Sequence, residues 1–179
     1  MDRSPGPEPG NLRIATRGET PADIDAIGAV TTAAFLHAEH RSGTEQHIIA
    51  ALRDAGQLSV SLVTELDGRI VGHVAVSPVT ISDGSEGWFG LGPISVLPEC
   101  QRTGIGSALM HAALSALRGR GAQGCVLLGD PAYYRRFGFA PEPRLVLPGV
   151  PPEYFQALPF GDTVPAGTVA YHAAFDAQA

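Results

Sequence analysis

The spacing of apolar residues changes along the first third of the chain, and each change marks an element. Residues 12–15 (Leu-Arg-Ile-Ala) predict a short first strand. Thr20, Pro21 and Asp23 supply an N-cap, an N1 proline and an early acid, which together open a helix. Helical spacing then continues to about His40 through Ile24, Ile27, Val30, Ala34 and Phe35. After the break at 41–43, Thr44 predicts the cap of a second helix that runs to about residue 55.

The middle of the chain has the alternation of a sheet. Residues 57–65 predict a strand, Asp67-Gly68 a hairpin turn, and residues 69–76 its partner. Residues 88–97 predict a third strand in this run. Its interior contains Gly90, Gly92 and Pro93. Because proline donates no ladder hydrogen bond, this group indicates a bulge or a place where the strand parts from a neighbour.

Beyond a glycine loop at 101–106, helical spacing returns up to about Arg118. Residues 125–128 (Cys-Val-Leu-Leu) are continuously apolar, as is typical of a buried parallel strand. Asp130-Pro131 predicts a helix of one or two turns that reaches Phe137. Two later strands are predicted, at 144–147 and at 169–175.

The predicted order is β-α-α-β-β-β-α-β-α-β-β. Three antiparallel strands followed by a β-α-β crossover give an α/β fold with a mixed, mostly antiparallel sheet and helices on both faces. A length of 179 residues favours one domain, expected over 12–179 after a flexible, Pro/Gly-rich tail at 1–11.

Charge and cysteine content exclude several function classes. The chain has 12 basic and 18 acidic residues, and this net charge of −6 argues against a nucleic-acid or anionic-membrane binder. No apolar stretch approaches the ~18 residues of a membrane span, and no signal peptide is recognisable, so we expect a cytoplasmic protein. Cys100 and Cys125 fit neither a disulfide framework nor a zinc site; they are expected to be small buried hydrophobes in a reducing compartment, and no metal is predicted.

Gly104 and Gly106 stand where a long helix begins, although each glycine costs about 1 kcal/mol relative to alanine inside a helix. Bare backbone at this place suggests that an anion approaches the unpaired N–H groups, with a phosphate as the natural occupant. A dinucleotide fingerprint would need a third glycine and a later acid, and a P-loop would need a lysine. Close packing of the helix on the sheet is the structural alternative.

Two motifs in the right order resemble those of one family. Residues 96–106 (Val-Leu-Pro-Glu-Cys-Gln-Arg-Thr-Gly-Ile-Gly) resemble the acetyl-CoA-binding motif of the GNAT N-acetyltransferase superfamily. Residues 133–139 (Tyr-Tyr-Arg-Arg-Phe-Gly-Phe) resemble its second signature, and 129–134 are similar to its YhbS-like subgroup. The resemblance covers roughly 12–140.

The resemblance implies the GNAT acyl-CoA N-acyltransferase fold, with a splayed parallel strand pair, and acetyl-CoA as co-substrate without a metal. The cofactor-binding residues that it implies are Ile94, Ser95, Val96, Gln101, Arg102, Thr103, Gly104, Ile105, Gly106, Ser107 and Tyr133. In this family an amine attacks the thioester directly and a tyrosine protonates the thiolate, a role that falls on Tyr134, with Tyr133 as the alternative. Asp130 stands where many members have asparagine, and its expected role is to cap the short helix.

The expected acceptor is a primary amine on a small molecule or a protein, and a homodimer is compatible with this reading. The general base stays open among His37, Glu39, His40, His47, His73 and Glu86. A module that holds acyl-CoA without turnover, as a sensor or regulatory subunit, is the alternative function.

Overall fold

The computed structural model describes residues 12–39 and 42–178. The predicted tail at 1–11 and the predicted helix end at His40 lie outside the described residues. The strands are β1 Ile14–Gly18, β2 Val60–Leu66, β3 Arg69–Ile81, β4 Trp88–Val96, β5 Gly124–Leu128, β6 Ala140–Pro141, β7 Leu145–Val146, β8 Phe155–Pro159 and β9 Gly167–Tyr171. The helices are α1 Ile24–Phe35, α2 Glu45–Asp54, α3 Ile105–Gly119 and α4 Pro131–Tyr134.

The first two helices begin close to the predicted positions. Asp23 accepts a hydrogen bond from the Thr20 backbone N–H at 2.7 Å, and a 3-10 turn at Pro21–Asp23 leads into α1. Helix α1 ends at Phe35, short of the predicted end, because the apolar spacing that a buried helix face needs stops there. Thr44 is the N-cap of α2 without a side-chain cap bond; the Glu45 carboxylate accepts from the Ser42 N–H instead.

Strands β1 to β4 form the predicted antiparallel run, and β5 joins β4 in parallel. The sheet order is β1-β2-β3-β4-β5-β8-β6. Strand β3 continues five residues past its predicted end, through Pro78. This proline is tolerated because β2 pairs no further than Val76, so the missing N–H leaves no ladder partner unsatisfied.

Strand β8 has no counterpart in the prediction. It pairs antiparallel with β5 along its whole length, from Gly124 opposite Pro159 to Leu128 opposite Phe155. Only five residues long and flanked by prolines, this segment carries too little alternation to indicate a strand. The strands predicted at 144–147 and 169–175 are present as β7 and β9, and β9 ends at Tyr171 before a 3-10 turn.

The helices cover both faces of the sheet, as predicted. On one face α3 packs its buried residues Leu109, Met110 and Leu117 against the sheet, and Gly72 of β3 lets the Leu109 side chain approach the strand. On the other face α1 lies over β3 and β4. Cys100 and Cys125 are free and buried, which confirms the expectation that both are buried.

Candidate functional site

The parallel pairing of β4 with β5 stops after three residue pairs, the last of which is Gly90 with Val126. Immediately beyond, β4 is irregular: Gly92 and Pro93 lie opposite the single residue Ala75 of β3, as in a β-bulge. The two strands therefore separate, and a gap opens between them. The sequence prediction of a bulge or a parting strand is confirmed, since both occur at the same place.

The edge of β4 along this gap presents backbone groups without a strand partner. The Leu97 N–H donates to the Val71 carbonyl at 2.9 Å. Because hydrogen-bonded pairs alternate in an antiparallel ladder, Ser95 is also bonded to β3, whereas the backbone groups of Ile94 and Val96 face the gap. The Val96 carbonyl accepts a hydrogen bond from Gln101 Nε2 at 3.1 Å. The Ser95 side chain is buried on the α1 side, 3.5 Å from the Thr31 hydroxyl.

The loop before α3 presents a row of free backbone donors. Among the described residues, none of the backbone N–H groups from Arg102 to Ser107 has a hydrogen-bond acceptor, and α3 begins its own ladder with Ala108 donating to the Gly104 carbonyl. Gly104 has a φ of +89°, and Arg102 has a φ of +62° although it carries a side chain. Left-handed backbone at a non-glycine residue is a strained arrangement that tends to occur at functional sites. Consecutive free N–H groups at a helix N-terminus form an anion site.

Tyr133 connects this loop with the gap. A β-carbon placed on Gly106 would lie 3.5 Å from the Tyr133 hydroxyl and 3.8 Å from Val96 Cγ2. The Arg136 guanidinium lies over the Tyr133 ring at 4.3 Å, and its Nε donates to the Tyr133 carbonyl. The Tyr133 hydroxyl is thereby held beside bare helix backbone at Gly106.

Tyr134 is held at the end of β5. Asp130 caps α4 by accepting from the Ala132 N–H at 2.9 Å, which confirms its expected capping role. The Tyr134 ring packs on Gly129 so closely that a β-carbon there would lie 2.2 Å from Tyr134 Cε2. Burial raises the pKa of Tyr134 to about 12, so the phenol stays protonated. Gly129 escaped the sequence analysis as a site residue, although it stands inside the quoted 129–134 motif.

Gln156 of β8 is a second residue that sequence reasoning missed. Its side chain is fully buried, and its Nε2 donates to the Gly129 carbonyl at 3.0 Å. The Gly129 backbone, on which the Tyr134 ring packs, is therefore held in place by β8, a strand that was not predicted.

Of the candidate bases, His73 is accounted for by a buried polar network. Its Nε2 lies 2.8 Å from the Ser61 hydroxyl, which also bonds Glu19, and Glu19 accepts two hydrogen bonds from Arg53. Burial lowers the pKa of His73 to about 4, so the ring is neutral and a poor base toward an alkylammonium.

The other candidates are scattered. His37 and Glu39 are exposed beyond α1, His47 is half-buried on α2, and Glu86 is exposed in the β3–β4 loop. His40 lies outside the described residues. The structure thus brings the glycine loop, β4 and the tyrosines together, and it does not select a base.

Comparisons with known proteins agree with this geometry. Residues 57–141 match the sequence profile of the acetyltransferase (GNAT) domain. The uncharacterized N-acetyltransferase YhbS of Escherichia coli K12 is 35% identical over 124 residues, which cover 69% of this chain and 71% of that protein. The chain belongs to the GNAT family of N-acetyltransferases. This confirms the family that the motifs of the loop and of α4 indicated.

Solved structures of GNAT proteins superpose on most of the chain. A GNAT family acetyltransferase from Brucella melitensis, in complex with acetyl-CoA, is 49% identical, with a TM-score of 0.82 over 92% of this chain and 99% of that one. Escherichia coli YhbS, in complex with CoA, is 31% identical, with a TM-score of 0.84 over 99% and 97%. The predicted GNAT fold is confirmed, including the splayed parallel pair.

The described residues contain neither a helix suited to span a membrane nor a cluster suited to bind a metal ion. None of their helices combines the length and the apolar character that a membrane span requires. No group of three or more histidine, cysteine or acidic side chains among them is arranged to hold a metal ion.

Proposed function

We propose that this GNAT protein transfers the acetyl group of acetyl-CoA to a primary amine, on a small molecule or a protein, by direct attack on the thioester. One observation carries the proposal: the free N–H groups from Arg102 to Ser107 and the unpaired edge of β4 meet at one gap. The diphosphate of CoA requires free N–H donors, and the amide groups of its pantetheine arm require an unpaired strand edge. The solved Brucella melitensis relative, which is in complex with acetyl-CoA, supports the same ligand.

Each part of the gap has a role in this proposal. The backbone N–H groups of residues 102–107 hold the diphosphate, helped by the α3 dipole, whereas the Gln101 N–H is already bonded to the Pro98 carbonyl. Because Gly106 has no side chain, oxygen atoms can approach the helix start. The backbone of Ile94 and Val96 pairs with the pantetheine arm as a further strand would. The Gln101 side chain keeps the Val96 carbonyl in place, and Tyr133 closes the side near Gly106.

Tyr134 is proposed as the general acid. As the new C–N bond forms and the C–S bond breaks, negative charge develops on sulfur. A free thiol has a pKa of about 8.5, whereas the pKa of Tyr134 is raised to about 12. The phenol is therefore always protonated, but complete proton transfer to a free thiolate is uphill. The Tyr134 hydroxyl therefore first stabilises the transition state by donating a hydrogen bond to the sulfur atom, on which the negative charge develops.

The acidic net charge of −6 suits a cationic acceptor, which remains part of the proposal together with a cytoplasmic location. A module that only holds acyl-CoA would use the same loop and gap. The two functions differ in turnover, which the experiment below measures.

The test combines binding and turnover. Calorimetry with acetyl-CoA should show saturable uptake, and a panel of primary amines should release CoA thiol, detected with a disulfide dye. We expect Tyr134→Phe to lower kcat about a hundredfold or more with nearly unchanged acetyl-CoA affinity, in the range of general-acid contributions. Tyr133→Phe is the matched control and should change the rate much less. An equal rate for Tyr134→Phe and the unmodified protein would remove Tyr134 from the mechanism, and uptake without thiol release would favour the binding module.

A further inference from the structure

An apolar cavity lies near the end of β5 and has no role in the function proposed so far. It has a volume of about 210 Å³. Its walls include Leu145, Leu147, Val150, Pro152 and Phe155. The one charged side chain among its lining residues, Glu142, accepts two hydrogen bonds from the Arg144 guanidinium and one from the Arg144 backbone N–H. The cavity therefore offers an apolar interior without a free charge.

The sheet register places this cavity beside the gap. Phe155 is opposite Leu128, the last residue of β5, and both lie past Val126, where β4 and β5 stop pairing. Cys125 and Leu127 belong to the core cluster that includes the buried residues of α3, whereas Val126 and Phe155 belong to a separate cluster with Leu145 that contains no residue of α3. Alternation along a strand thus puts the cavity on the face of the sheet away from α3.

The two faces of the gap differ in what already covers them. On the α3 side, the segment that follows Tyr134 packs on α3, with the Phe137 and His111 ring centroids 5.2 Å apart. A thioester in the gap would consequently be covered on this side by α3 and by the segment that follows Tyr134. On the opposite face α1 lies over β3 and β4, whereas the cavity lies near the end of β5, so we expect an amine to approach the thioester from the cavity side.

The surroundings of the cavity are also unusually apolar for a surface. Leu128, Val146 and Tyr154 are three of the seven large hydrophobic side chains exposed among the described residues. Val146 lines the cavity, and Tyr154 is joined to the end of β5 by a 3.0 Å hydrogen bond from the Gly129 N–H to its carbonyl. A cluster of exposed apolar side chains around a concavity marks a binding site more often than isolated ones do.

We propose that this cavity binds the apolar substituent of the acceptor, so that the acceptor class is a primary amine carrying an aryl or branched aliphatic group. An apolar cavity of about 150 Å³ holds benzene, so about 210 Å³ accommodates a phenyl ring. Because the only carboxylate in the lining is neutralised by Arg144, the ammonium group gains nothing inside the cavity and stays at the gap. This inference rests on the proposed acetyl transfer.

The test compares amines that differ in the substituent only. With saturating acetyl-CoA, kcat/KM for 2-phenylethylamine should exceed that for 2-methoxyethylamine by about tenfold or more, since only the phenyl group gains from transfer out of water into an apolar cavity. Leu147→Trp and Val150→Trp fill the cavity from partly exposed loop positions and should abolish this preference. Ile14→Trp, which adds a tryptophan at an exposed position on the far edge strand β1, should preserve it.

A second measurement does not depend on turnover. Calorimetry with the CoA-saturated protein should detect 2-phenylethylamine and give at least about tenfold weaker binding in Leu147→Trp and Val150→Trp. Equal kcat/KM for the two amines, or a preference that both filled variants retain, would overturn the inference and leave the acetyl-transfer function standing. Absence of acetyl-CoA uptake by the folded protein would overturn both.

Discussion

The buried histidine of β3 gives the protein an acid sensitivity whose size follows from the structure. His73 is fully buried, and burial lowers its pKa from the ordinary 6.5 to about 4. The unfolded chain therefore binds a proton at this ring near pH 6.5, whereas the folded protein does not bind it until about pH 4. The contribution to stability is complete above pH 6.5 and is lost as the pH falls toward 4.

The magnitude follows from the two affinities. A tenfold difference in proton affinity corresponds to about 1.4 kcal/mol, so the gap between 6.5 and about 4 amounts to about 3 kcal/mol. Carboxylates such as Glu19, Asp23 and Glu142 also have lowered pKa values. Their contribution is present above the ordinary carboxylate pKa and disappears as the pH falls below it, at the acid end of the histidine window and beyond.

Urea denaturation at pH 7.5, 6.0, 5.0 and 4.5 measures the effect as the free energy of unfolding. His73→Leu removes the titrating ring, and the Ser61 hydroxyl keeps its hydrogen bond to Glu19. Between pH 7.5 and pH 4.5 we expect the free energy of unfolding of the variant to fall by about 2–3 kcal/mol less than that of the unmodified protein. His111→Gln, at an exposed position on α3, should follow the unmodified protein. Parallel curves for His73→Leu and the unmodified protein would refute the reasoning.

Three further predictions concern the loop before α3, the contact between Gly129 and the Tyr134 ring, and the cap of α4. Gly106→Ala should raise the free energy of unfolding by about 0.5–1 kcal/mol, because its β-carbon meets only ordinary contacts, but it should weaken acetyl-CoA binding about tenfold or more. Gly119→Ala, later in the same helix, should give the gain in stability without the loss of affinity. Equal acetyl-CoA affinity in the two variants would contradict the proposed role of Gly106. Gly129→Ala should displace the Tyr134 ring and lower kcat about tenfold or more in thiol-release assays, so an unchanged kcat would show that the ring position does not matter. Asp130→Ala should lose about 1 kcal/mol in thermal denaturation and Asp130→Asn much less, and equal losses would argue against the cap.

The predictable parts of the molecule are those in which the signal is local. Asp67 and Gly68 have φ values of +50° and +81°, the left-handed pair that a tight hairpin requires, and the dipeptide alone announces them. Gly104 and Gly106 likewise indicated a functional helix start, because glycine is unfavourable in a helix and two of them at one place require a functional explanation. Pro93 indicated the irregular strand that opens the gap.

The parts that escaped prediction depend on contacts distant in sequence. Strand β8 exists because β5 needs a partner on its open side, which residues 155–159 do not reveal by themselves. The contact between Gln156 and the Gly129 carbonyl joins residues 27 positions apart, so the local sequence around either residue does not predict it. The positions of the two tyrosines also depend on such contacts: the Tyr133 hydroxyl is directed at α3, and the Tyr134 ring lies against Gly129.

The short parallel ladder between β4 and β5 has a consequence for the ligand-free protein. An interrupted ladder leaves an interior edge that can recruit another chain, just as an exposed outer edge does. A ligand arm that forms hydrogen bonds with the unpaired backbone groups of β4 completes the ladder, so the edge can no longer pair with another chain. Acetyl-CoA at a hundred times its dissociation constant would add about 2.7 kcal/mol to folding stability by mass action. The proposed co-substrate would then also act as a conformational chaperone, and the protein should aggregate fastest when the cell's acyl-CoA pool is depleted.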